Sequence, residues 1–143
     1  MLRLQKGVSS MSDESWRLWL QRAKSNLARA ELGKQTQDIL YEDLCFDAQQ
    51  SAEKALKCVM ILMEIDVPKT HSIGYLIRLI QDSEKISVPE PIKEAAILTD
   101  YAVTTRYPGD WEPVSEVEYR QAVALAKDVF LWVSLIANKD REK

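Results

Sequence analysis

The stretch LYEDLCFDAQQSAEKALKCVMILMEI, residues 40–65, decides the fold. Tyr41, Leu44, Cys45, Ala48, Ala52, Ala55, Val59 and Leu62 recur three or four positions apart, which places them on one face of a helix at about 100° per residue. No Gly or Pro interrupts the run, so a long amphipathic helix is the expected reading. On its N-terminal side, Trp16, Trp19, Leu20, Ala23, Leu27 and Ala30 carry the same period from about Ser12 to Leu32. Asp13 and Glu14 would suit the first turn of that helix, and Gly33 would close it.

On the C-terminal side Pro68 ends a loop, and Ile73, Leu76, Ile77 and Ile80 mark a shorter helix from about Ser72 to Ser83. Pro89 and Pro91 punctuate the chain before Ile92, Ala95, Ala96, Thr99 and Val103 suggest a fourth helix. It runs into Tyr101–Gly109, where Pro108 biases Tyr107 away from helical geometry and Gly109 tolerates positive φ. Arg106 and Tyr107 are therefore expected at a helix terminus. Arginine there suits a phosphate, and it equally suits capping the helix carbonyls. The last helix begins at Ser115 and Glu118, which have capping-box spacing, and its stripe is Ala122, Ala126, Val129, Val133 and Ile136.

No segment alternates with period two. The fold class is all-α, an up-and-down bundle of four main helices plus one short helix, with short connections favouring antiparallel neighbours. The expected layout is a flexible segment over 1–11, one helical domain over 12–138 and a flexible tail over 139–143. One domain follows from 143 residues, 46% apolar and 29% charged, a composition that excludes a disordered chain. A net charge of -3 gives no general attraction to nucleic acid, so a nucleotide site must be local. There is no signal-peptide pattern and no unbroken run of eighteen apolar residues, so the expectation is a cytoplasmic protein with no membrane partner. Cys45 and Cys58, thirteen apart on one helix, cannot pair with each other there and are expected as reduced core thiols.

The central helix has more apolar surface than one core requires. Phe46 and Ile61 lie opposite the main stripe, on a face shared with Gln50, Glu53, Lys54 and Lys57. That face reads as an interface or a site, whereas Glu53 and Lys57 at i,i+4 also read as an exposed ion pair. Leu125, Phe130, Leu131 and Trp132 give the last helix a similar apolar back. Phe46, Gln50, Ile61 and Trp132 are thus candidate interface residues of a homodimer.

Three blocks, FDAQQSAEKALK at 46–57, PKTHS at 68–72 and YAVTTRYP at 101–108, closely resemble the signature of the HEPN family, in that family's order. The resemblance spans roughly Glu14 to Ile136. It implies a bundle of four main helices plus a short one, commonly a homodimer, often paired with a minimal nucleotidyltransferase and linked to nucleotide binding. Many relatives are metal-independent ribonucleases, some of them toxins, that carry an arginine followed by a histidine after four to six intervening residues. Here the only histidine is His71, and Glu64, Ile65, Asp66 and Val67 precede it without an arginine. The resemblance therefore implies a branch lacking the ribonuclease motif.

In physical terms His71 stands at the start of the third helix, where free N–H groups favour an anion. Arg106 could fork onto a phosphate, Tyr107 could stack on a base, and Lys54 or Lys57 could add charge. Each has an ordinary structural reading as a cap, a half-buried anchor or a surface ion-pair member. No phosphate loop, dinucleotide turn or zinc spacing is present, so no catalytic residue, metal or cofactor is assigned. The leading expectation is a non-enzymatic nucleotide- or RNA-binding module, acting as a homodimer with a nucleotidyltransferase partner in a toxin-antitoxin-like pair. The alternatives are a ribonuclease using His71 and Arg106, and a protein that only dimerises and engages a partner.

Overall fold

The computed structural model describes residues 6–102 and 112–141, and these are helical with no strand among them. The helices are α1 (Lys6–Leu32), α2 (Tyr41–Leu62), α3 (Ile73–Asp82), α4 (Glu90–Lys93), a 3-10 helix (Glu94–Ala102) and α5 (Glu116–Arg141). An all-α bundle is thus the fold. α1 begins ahead of Ser12, so Asp13 and Glu14 fall in its interior and not in the first turn.

α2 is the central element. α1, α5 and α3 with the 3-10 helix all pack against it, and it buries its expected stripe from Leu44 to Val59 together with Leu56, Cys58 and Met60. The α1–α2 pairing is antiparallel: Arg29 meets Asp47, the Ala23 carbonyl meets Ser51, and the Trp19 ring meets Lys57. Gly33 makes that reversal possible with φ of +73°, in the left-handed region.

At the other end of α2, Glu64 takes φ of 58° and the Ile65 N–H donates to the Met60 carbonyl, a Schellman closure built without glycine. Residues 65–72 then carry the chain back along α2, because the His71 carbonyl meets Gln49 while Lys85, just beyond α3, reaches the Met63 carbonyl. α3 consequently runs in the same sense as α2. Their expected antiparallel relation fails here, since a connection of extended residues can retrace a helix whose rise is only about 1.5 Å per residue.

The segment Ile92–Ala102 returns antiparallel to α3. Its buried residues are Ile92, Ala95 and Leu98, spaced by three, which is the period of a 3-10 helix and not that of the α-helical stripe read from the sequence. α5 opens with the expected box: the Glu118 N–H donates to Ser115 Oγ (3.1 Å), and the Ser115 N–H donates to Glu118 Oε1 (3.4 Å). Tyr41 stacks on Tyr119 with ring centroids 5.0 Å apart, so α5 starts beside the start of α2 and runs with it. Ala122, Ala126, Val129 and Val133 bury as expected, whereas Ile136 is half-buried and Ala137 completes the stripe. By length and hydropathy α5 is the one described helix that could cross a membrane, and this buried stripe faces the bundle.

Candidate functional site

Glu53, on the face of α2 that α3 approaches, gathers a buried polar cluster. Its side chain is 5% exposed and its two oxygens divide the work: Oε2 accepts from Lys57 Nζ at 2.8 Å, and Oε1 meets His71 Nδ1 at 3.0 Å. Gln49, fully buried, donates from Nε2 to Glu53 Oε1 (3.1 Å) and to the His71 carbonyl (2.9 Å). Gln50 donates to Gln49 Oε1 at 2.8 Å. One turn of α2 thus grips both the backbone and the ring of His71.

Burial works against the Glu53 charge, but hydrogen bonds from Lys57, His71 and Gln49 outweigh it and hold the carboxyl below its usual range. An ionised carboxylate can only accept, so Nδ1 is assigned the proton and Nε2 is left as the free nitrogen. The His71 side chain is 72% exposed, which puts that nitrogen on the solvent side. This is a fixed imidazole on a buried anion, the arrangement by which a second group sets the tautomer of a working histidine.

Lys57 is 7% exposed, so the reading of Glu53 and Lys57 as an exposed ion pair is overturned. The returning loop covers the pair, and the ammonium also lies 5.5 Å from the Trp19 ring centre. Lys54 points elsewhere: its Nζ donates to Asn26 Oδ1 at 2.8 Å, and Asn26 Nδ2 donates to Asp47 Oδ1 at 2.9 Å, across the α1–α2 seam. His71 and Lys54 therefore belong to different networks on neighbouring faces of α2.

The start of α3 is not an open anion site. Ser72 Oγ accepts from the Tyr75 N–H at 3.1 Å, and Thr99 Oγ1 accepts from the Ile73 N–H at 3.0 Å. These bonds fill positions that the sequence left free, and the second ties the His71 corner to the 3-10 helix. Arg106 and Tyr107 lie outside the described residues. Phe46 and Gln50 are half-buried, and Ile61 and Trp132 are half-buried against the core. Both thiols are fully buried, which pushes Cys45 and Cys58 up to about 12 and removes them as nucleophiles. Among the described residues no three His, Cys, Asp or Glu side chains cluster as a metal site would require.

Sequence reasoning missed Gln49 as the latch, Thr99 as the pin and Asn26–Asp47 as a buried pair. The available signal was the spacing of Gln49, Glu53 and Lys57, four apart on one face of α2.

An all-α bundle with a polar corner against its central helix is the class these features define. The HEPN domain model matches residues 16–138, and the chain belongs to the HEPN family. The structure is similar to the crystal structure of an archaeal HEPN homologue, with a TM-score of 0.66 and 26% identity over 83% of this chain and 94% of that one. It is also similar to the crystal structure of TT1696 from Thermus thermophilus, with a TM-score of 0.67 and 35% identity over 83% of this chain and 95% of that one. No curated protein matches it.

Proposed function

We propose that this HEPN domain binds the phosphate of a nucleotide or an RNA end at the His71 corner, without cleaving it. The observation that carries the reading is the exposed imidazole fixed through Nδ1 by buried Glu53. A histidine so held presents Nε2 in a set direction and loses little freedom on binding. Because phosphate oxygens accept, the ring binds them as the imidazolium, with Nδ1–H on Glu53 and a second proton at Nε2 donated to the phosphate. The Ile73–Thr99 bond supports a contribution from the segment beyond Ala102, because Arg106 follows Ala102 by four residues, roughly 14 Å of fully extended chain at most. Arg106 would fork onto the phosphate and Tyr107 would stack on the base.

The domain acts as a homodimer in the cytoplasm, with a minimal nucleotidyltransferase as partner in a toxin-antitoxin-like pair. Family membership favours this setting. Two free buried thiols fit a reducing compartment, and Leu131 and Leu135, 50% and 65% exposed on α5, offer apolar surface for self-association. Calorimetry with a panel of nucleotides tests the site: wild type saturates with at least one, and His71→Ala and Arg106→Ala each weaken it about tenfold or more. Absence of saturable binding to every nucleotide would refute the reading.

The Glu53–His71 geometry favours one second reading, a ribonuclease in which His71 moves a proton and Arg106 stabilises charge on the phosphorus oxygens. Incubation of purified protein with RNA separates the two, since cleavage that disappears in His71→Ala would establish the enzyme.

A further inference from the structure

The α1–α2 seam carries a second polar system that the His71 corner does not use. Between Ser15 and Ala30, α1 holds Arg17, Arg22, Lys24 and Arg29 and no carboxylate, in a chain whose net charge is -3. The antiparallel register places α1 beside α2 in the order Arg29–Asp47, Ala23–Ser51, Trp19–Lys57. Arg22, adjacent to Ala23, therefore stands level with the stretch of α2 that carries Lys54. Arg22 and Arg29 are seven residues apart, nearly two full turns, so they share one face about 10 Å apart along the axis.

Asp47 and Glu53, the two anions whose charge reaches Lys54, are already committed. Asp47, whose side chain is 8% exposed, meets Arg29 Nη2 at 2.8 Å and Arg29 Nε at 3.4 Å, and also accepts from Asn26. Glu53 serves Lys57 and His71. Arg29 is 64% exposed and keeps donors outside its Asp47 contacts, Lys54 spends one donor on Asn26, and Arg22 is exposed with no ion pair among the described residues. Burial, then the nearby charges of Arg22 and Arg29, hold the Lys54 ammonium below the usual lysine range, against the pull of Glu53 and Asp47. A further anion would relieve that crowding.

We propose that Arg22, Lys54 and Arg29 form a strip along the α1–α2 seam that binds the phosphodiester backbone of single-stranded RNA. Its length along α1 exceeds one phosphate group, which favours a polymer over a mononucleotide, and two guanidinium forks suit phosphate oxygens. The choice of RNA over an acidic peptide rests on the nucleotide reading of the domain. The strip itself is independent of His71.

The test is fluorescence anisotropy with a labelled oligouridylate of about twelve nucleotides, titrated at several salt concentrations. Wild type should bind, and Arg22→Glu, on an exposed position, should weaken binding about tenfold or more. Lys54→Gln keeps a donor for Asn26 and should lower the slope of log affinity against log salt by about 0.7, the loss of one single-strand phosphate contact. Unchanged affinity and slope in both variants, or no binding by wild type, overturns the strip. Equal displacement of the RNA by oligoglutamate also overturns it, in favour of an acidic partner. His71→Ala should leave the salt slope intact. If His71→Ala abolishes mononucleotide binding while Arg22→Glu leaves the oligonucleotide bound, the strip fails and the corner stands.

Discussion

Glu53 is the residue on which the corner depends, and its environment makes two predictions. Glu53→Gln leaves the Lys57 ammonium buried without its anion, which should cost about 3–5 kcal/mol in denaturant unfolding at neutral pH. The pH dependence has a fixed sign. A carboxyl held below its unfolded value of about 4.3 lets the unfolded state bind more protons in that window, so stability is complete above it and falls as pH drops through the folded value. Urea titrations from pH 6 to pH 2 should show wild type losing stability below about pH 4.3, with that part of the slope absent in Glu53→Gln. None of this was legible from the residue types. Glu and Lys four apart on a helix read as a solvated pair, and only the loop folding back to put His71 over Gln49 and Glu53 buries them.

At the scale of single elements the sequence was most informative where local chemistry acts alone. The Ser115–Glu118 box and the Gly33 stop are short-range devices, and the structure forms both. Gly33→Ala should destabilise by about 1 kcal/mol through its left-handed backbone, because an added Cβ would meet only the Tyr119 hydroxyl oxygen at an ordinary 3.6 Å. Glu64→Gly should do the reverse, raising stability by up to about 1 kcal/mol, since Glu64 holds the same kind of conformation with a side chain. Thermal unfolding checks both. The segment after α4 differs from its sequence pattern because Ile92 and Ala95 fit a 3.6 period and a period of three equally well. Leu98 distinguishes them, and its burial depends on how α3 and α2 close over the segment, which no local pattern encodes.

For the whole molecule, a stripe on each of the long helices was enough to give an all-α bundle, but direction was not. Loop length suggested antiparallel neighbours, whereas residues 65–72 spend their reach retracing α2 and bring His71 to Glu53. The same retracing separates the His71 corner from the Lys54 seam, so one expected cluster becomes two networks. Association is tested at this scale as well: light scattering should give twice the 16.4 kDa chain mass, and Leu135→Glu should reduce it towards the monomer without changing helicity. The central claim is that His71 is held by Glu53 with Nε2 offered to a phosphate. Because His71 is the only histidine, nitrogen NMR of the imidazole during a nucleotide titration tests this without ambiguity. The free protein should show protonation at Nδ1, and saturation with nucleotide should add a proton at Nε2, shifting that resonance as Nε2–H donates to the phosphate. A ring protonated only at Nε2, or resonances that do not move at any nucleotide concentration, would contradict the account.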